Sequence, residues 1–103
     1  MTKDKLNNTI INAMKNIALE SGTELVTPFD NQTELLKSGL DSMGFAVLVA
    51  HLDEELGYDP FVMMDDPYYP TKYGELLDIY FKYFPKSWNY LHIYLVYLTI
   101  KNC

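Results

Sequence analysis

An aspartate followed by a serine, Asp41-Ser42, stands where a loop rich in breakers gives way to an apolar run with helical spacing. The carboxylate can accept a hydrogen bond from an unpaired N–H of the first helical turn. The hydroxyl is then presented on an exposed corner, beside free N–H groups and the partial positive charge of a helix N-terminus. Such a corner suits an anion such as a phosphodiester. The plainer reading is a first-turn serine beside a capping aspartate. A nucleophilic role is disfavoured, because a catalytic serine needs a base within hydrogen-bond reach. His51 follows on the same helix, but at about 100° and about 1.5 Å per residue it falls on the opposite face, more than about 10 Å away. His92 lies far along the chain, and no Gly-x-Ser-x-Gly elbow is present.

Further along this helix, Asp53-Glu54-Glu55 form an acidic cluster. It is either a solvated face or a docking patch for Lys and Arg of a partner, where charge raises the rate of encounter more than the affinity. Met43, Val47 and Ala50 recur at i, i+4 and i+7 as a second apolar line, either extra core or a hydrophobic contact for a partner. His51 reads as a surface or half-buried histidine, and Asp65-Asp66 as a turn or short-helix start rather than a metal site. The single cysteine, Cys103, permits no intramolecular disulfide, and no CxxC signature is present. No metal site and a reducing, cytoplasmic location are the expectations.

The elements that must position these groups are helices. Leu6, Ile10, Ala13 and Ile17, widened by Ile11, Met14 and Ala18, predict a first helix that stops at Gly22. Residues 23–40 read as a long loop with breakers Pro28, Asp30, Asn31 and Gly39, and a short turn is allowed at Glu34-Leu35-Leu36. Phe45, Leu48, Val49, Leu52 and Leu56 form the core stripe of a second helix, capped by Asp41 and ended by Gly57. Residues 59–70 contain three prolines and predict a short irregular helix or turn anchored by Phe61, Val62 and Met64. Thr71 is expected to cap a last helix along Tyr73, Leu76, Leu77, Tyr80 and Phe84, stopped by Pro85. The fold class is thus all-α: a small four-helix bundle of three main helices and one short one, with no strand before residue 85.

With 103 residues, 49% of them apolar and 21% charged, the chain is expected to fold as one ordinary globular domain. Its net charge of −6 and lack of arginine disfavour nucleic-acid binding, which needs clustered cations. Basic partners are expected instead. All fourteen acids lie at or before Asp78, so residues 1–78 hold five lysines against fourteen acids, a balance of −9. Residues 79–103 hold three lysines and no acid. This shift separates a domain at 1–84 from an aromatic, basic tail at 85–103 of uncertain structure. The tail has three readings: an added helix or strand, a segment that sticks to a membrane surface or partner, or a shifted reading frame in AT-rich coding sequence. No signal peptide and no transmembrane segment are expected; residues 88–100 are too short to span a bilayer.

The segment Gly39-Leu40-Asp41-Ser42-Met43, at that place in this helical pattern, resembles the attachment motif of acyl carrier proteins. The resemblance runs from about Lys3 to about Phe84. It implies that Ser42 carries 4′-phosphopantetheine, moved from coenzyme A by a phosphopantetheinyl transferase, with Asp41 helping to position that enzyme's metal and basic groups. Cargo would ride as a thioester on the arm, and the protein would present it to acyl-loading and acyl-using enzymes without catalysing. The tether would raise the cargo's effective concentration at each of them. The implied partner surface is Met43, Val47, Asp53, Glu54 and Glu55, met by basic docking surfaces, and a monomer is expected. In this family the core can part to shelter an acyl chain. Gly44 and Val47 depart from the polar face usual after the serine, which favours a specialised lipid, polyketide or polysaccharide pathway over general fatty-acid synthesis. An aminoacyl or peptidyl carrier of nonribosomal type is the nearest alternative, although Leu40-Asp41 stand where that family usually has glycine and histidine. An unmodified helical adaptor is the other.

Overall fold

The apolar periodicity resolves into four helices in the computed structural model, which describes residues 2–66 and 68–84. The tail 85–103, the domain boundary before it, and the expected roles of Pro67 and Pro85 lie outside the described residues. Helix α1 spans Lys3–Glu20, α2 Ser42–Leu56, α3 Pro60–Met63 and α4 Tyr73–Lys82. Among the described residues the fold is an all-α bundle of three main helices and one short one, with a single isolated bridge, Glu34 to Lys72, in place of any strand.

Thr2 caps α1, its hydroxyl accepting from Lys5 N at 3.2 Å. The helix buries Leu6, Ile10, Ala13, Met14, Ile17 and Ala18, so the stripe read from spacing is the buried face; Ile11 sits at its half-buried edge. Ser21 forms the C-cap and Gly22 follows at φ +79°, a conformation glycine adopts without a Cβ clash. In α2, Leu48 and Leu52 are fully buried, while Phe45, Val49 and Leu56 are half-buried. Gly57 ends α2 at φ +85° and donates its N–H to Asp53 O at 2.9 Å, closing the helix as expected. In α3, Asp59 accepts from Phe61 N at 2.8 Å and Pro60 takes the first position, where a missing N–H does no harm. Helix α4 buries Tyr73, Leu76, Leu77 and Tyr80; Phe84, just beyond it, is half-buried. Helix α1 packs against both α2 and α4. Burying each Leu or Ile of this core contributes about 1.5–3 kcal/mol.

The start of α4 corrects one expectation. Lys72, not Thr71, holds the cap position, and it makes no side-chain cap bond. The loop supplies the acceptors instead: Tyr73 N donates to Thr33 O and Gly74 N to Asn31 O, both at 2.9 Å. Backbone carbonyls fixed from about forty residues earlier outcompete a nearby hydroxyl, since each free N–H needs only one good acceptor. Thr71 turns its hydroxyl to Glu75 Oε1 at 3.1 Å. The long loop is thereby pinned to α4, and within it Leu35–Lys37 form one 3₁₀ turn, at the place where a short turn was allowed.

Candidate functional site

The corner at Asp41-Ser42 is built from three pieces of chain. Asp41 is the N-cap of α2, and its Oδ1 accepts from Gly44 N at 2.7 Å. Gly44 is buried, and a Cβ there would lie 3.3 Å from both Asp41 Oδ1 and Leu40 Cβ, so glycine lets the cap and the buried Leu40 close together. Upstream, Thr23 at the end of α1 directs its hydroxyl to Ala18 O at 3.2 Å and Gly39 O at 2.8 Å. Val26 N donates to Ser38 O at 2.8 Å, and the buried Ser38 hydroxyl donates to Leu35 O at 2.6 Å. These bonds fasten the last residues of the loop against the segment that leaves α1. Gly39 is the tight point: at φ +117°, its position for a Cβ is 2.3 Å from Glu24 O.

Ser42 is the first residue of α2 and is exposed, with no side-chain hydrogen bond among the described residues. Its hydroxyl is therefore held on a rigid corner but not engaged. A notch of about 140 Å³ lies beside it, lined by Ser21, Thr23, Gly39, Leu40, Asp41 and Gly44. The imidazole of His51 is turned to Glu55, with Nε2 3.1 Å from Oε2 one turn further on, and it is not the partner of Ser42.

The proposed contact residues divide into two groups. Met43 is 72% and Val47 45% exposed, and Ala50 is exposed with them, so this apolar line is not extra core. Asp53, Glu54 and Glu55 are exposed but do not share one face. At about 100° per residue, Glu54 continues the line of Met43, Val47 and Ala50 while Asp53 and Glu55 fall on opposite flanks. Glu54 and Glu55, with His51, line a groove of about 390 Å³ against Thr9, Asn12, Ala13 and Asn16 of α1. Asp53 lies on the other side, where its charge is felt by Tyr80 of α4.

Behind the site, rings from α2, α3 and α4 meet. Phe45 is edge-on to Phe61 at 6.2 Å between centroids, Phe61 to Tyr80 at 6.1 Å, and Tyr80 to Tyr58 at 5.8 Å. Burial pushes the phenols of Tyr58, Tyr73 and Tyr80 far up, so all three stay neutral. The positioning roles of Thr23 and Ser38 were not readable from local pattern, because their decisive partners are twelve to sixteen residues away.

Among the described residues, no three or more His, Cys, Asp or Glu are grouped to hold a metal ion, and no helix is long and apolar enough to cross a membrane. No family model, no curated protein and no solved structure matches this chain. The resemblance to acyl carrier proteins accordingly rests on the residues and the fold described above.

Proposed function

We propose that this chain is a carrier protein that takes a 4′-phosphopantetheine arm on Ser42 and presents acyl groups held on it as thioesters. The observation that carries the reading is the exposed, unengaged Ser42 hydroxyl on the first residue of α2, fixed by the Asp41 cap and the clasped loop before it. The residues fit the group: the corner has open space for a phosphodiester, and the free N–H groups of the first turn favour its negative charge. In the loading step Ser42 Oγ gives up its proton to a base of the transferase and bonds to the phosphorus next to the pantetheine. The P–O bond to the nucleotide half of coenzyme A breaks, and that half leaves. Ser42 supplies the acceptor oxygen, and Asp41 keeps it in place. The arm, when bound, supplies the thiol. The bond-making machinery belongs to the transferase and to the enzymes that visit, so the chain itself acts as carrier rather than catalyst, in the cytoplasm.

The exposed Met43, Val47 and Ala50 line, continued by Glu54, gives a visiting enzyme an apolar strip with an acidic end. A basic rim around an apolar groove is the partner surface that complements it. The test is intact mass after co-expression with a broad-specificity phosphopantetheinyl transferase, with Ser42→Ala alongside. A gain of one phosphopantetheine on the wild type only, with both proteins equally helical, is expected. No gain on folded wild type refutes the assignment and leaves the unmodified adaptor, and a gain on Ser42→Ala refutes Ser42 as the attachment point.

A further inference from the structure

A second groove, of about 420 Å³, lies between α1 and the first part of the long loop, and no residue of α2 takes part in it. Its lining is Ile11, Lys15, Leu25, Val26, Thr27 and Phe29. The volume is that of a small-molecule site. Four of the six residues are apolar. Ile11, Leu25 and Phe29 are half-buried against the core, and Val26 is 40% exposed. The wall is fixed in place. Phe29 stands edge-on to the buried Tyr73 at 4.8 Å between centroids, and Val26 N donates to Ser38 O at 2.8 Å. A ligand therefore meets a surface already ordered, and little of its binding energy is lost in arranging it.

The polar side chains of the groove are Lys15 and Thr27, and both can donate. On α1 the positions three and four residues from Lys15 are Ile11, Asn12, Ala18 and Leu19, so the helix offers it no acid. Lys3 and Lys37 are paired with Asp78 and Glu34, but Lys15 has no ion pair and Thr27 no side-chain hydrogen bond among the described residues. No carboxylate lines the groove, and Asp30, further along the loop, accepts from Gln32 N at 2.8 Å. In a chain with fourteen acids against eight lysines, an acid-free groove with an ammonium at its edge is a local reversal of charge. What complements it is an apolar body that ends in an anion.

We propose that this groove binds a free aliphatic monocarboxylate. The hydrocarbon lies along Ile11, Leu25, Val26 and Phe29, and the carboxylate is held by the Lys15 ammonium and the Thr27 hydroxyl. Two side-chain donors match one anionic head group and leave nothing over for the repeated amides of a peptide. Lys15 can lay its own methylene stem along the apolar wall while its charge stays in water. An ion pair so exposed adds little affinity, so the apolar body supplies most of the binding and the charge sets the choice of head group. The site is separate from Ser42, and the proposal does not rest on the carrier reading.

The experiment titrates the full, unmodified chain with sodium octanoate at neutral pH and fixed ionic strength, following backbone amides by NMR. Octylammonium and octanol are the matched probes of reversed and absent charge, and an acetylated Ala-Ala-Leu peptide with a free carboxylate stands for a protein C-terminus. Saturable shifts at residues 11–15 and 25–29, with a Kd of about 5 mM or tighter for octanoate, are expected. Octanol should bind more weakly and octylammonium more weakly still. Lys15→Gln should weaken octanoate about two- to fivefold, the range of an exposed ion pair, and leave octanol unchanged. Lys15→Glu should weaken octanoate further and bring octylammonium into the groove. Both variants alter an exposed side chain, and unchanged circular dichroism verifies their fold. No saturable shift in the groove overturns the proposal, as does octylammonium binding there as well as octanoate, or an octanoate Kd that Lys15→Gln leaves unmoved. Tighter binding of the peptide than of octanoate overturns it in favour of a protein C-terminus.

Discussion

Replacing Gly39 by alanine should damage this protein far more than the same change at Gly22, although both glycines have positive φ. At Gly22, φ is +79° and nothing lies within 4 Å of the position a Cβ would take. Alanine there meets only the conformational penalty of the left-handed region, about 1–2 kcal/mol. At Gly39, φ is +117° and the new Cβ would sit 2.3 Å from Glu24 O and 3.2 Å from Leu25 Cα. The obstacle is backbone and cannot swing aside. It is also tied on both sides, by Thr23 Oγ1 to Gly39 O and by Val26 N to Ser38 O. Backbone strain of about 1–3 kcal/mol therefore adds to an overpacking cost of about 1–3 kcal/mol. The total of about 2–6 kcal/mol is a large part of the 5–15 kcal/mol or so that holds a typical domain together. Urea unfolding followed by far-ultraviolet circular dichroism measures both variants against wild type. With a slope near 1 kcal/mol/M for so small a domain, Gly39→Ala should lower the midpoint by about 2 M or more, or prevent folding. A Gly39→Ala midpoint no lower than that of Gly22→Ala would refute the claim that the loop before Ser42 is clamped at this point.

Three further outcomes test other parts of the account. Asp41→Ala should lose about 1 kcal/mol through the missing cap to Gly44 N, while Asp41→Asn keeps most of it; urea midpoints report stability, and slower phosphopantetheine transfer to the stable Asp41→Asn would assign a separate role to the charge. The Tyr68 hydroxyl donates to Glu75, and this bond, with lesser help from Thr71, holds the Glu75 carboxyl below its ordinary range. What that contact adds to stability is present above the ordinary carboxylate pKa and lost as pH falls through the lowered one; Tyr68→Phe should move the Glu75 titration, followed by NMR, upward, and an unmoved titration would remove the bond from the explanation. Charge reversal at Glu54, on the apolar line, should slow transfer to partners more than reversal at Asp53 on the flank, and mainly at low salt, where screening is weak; equal rates at low ionic strength would dismiss the docking strip.

Local chemistry made much of this structure readable. The buried face of α1 follows from apolar spacing, and the Asp41 cap and the Gly57 stop follow from what those side chains can and cannot do at helix ends. The exposed position of Ser42 follows from the same cap. What escaped reading was non-local. Asn31 and Thr33 cap α4 across the chain, and no pattern near Thr71 announces that its hydroxyl is displaced from the task. Tyr58 and Tyr80 are linked by a bond spanning twenty-two residues, and the lack of a partner for the Tyr80 hydroxyl among the described residues shows only once the core is assembled. Periodicity placed Phe45, Val49 and Leu56 in the stripe, but it does not grade depth, and these three are only half-buried. The acidic run reads as one patch in sequence, yet helical geometry sends its members to different flanks.

The capping of α4 by main-chain carbonyls has a consequence for how this sequence can drift. No single side-chain deletion removes those acceptors, because every residue type carries the same C=O. Positions 31–33 are therefore free in residue type as far as the cap is concerned. They are not free in number. One residue inserted or removed between Asn31 and Leu35 would break the register in which Asn31 O, Thr33 O and Leu35 N meet Gly74 N, Tyr73 N and Thr71 O. Gly74, whose absent Cβ would stand 2.9 Å from Asn31 Cβ, holds the same register from the other side. Close relatives of this chain should vary in the composition of that loop while keeping its length, the reverse of the freedom a surface loop ordinarily enjoys.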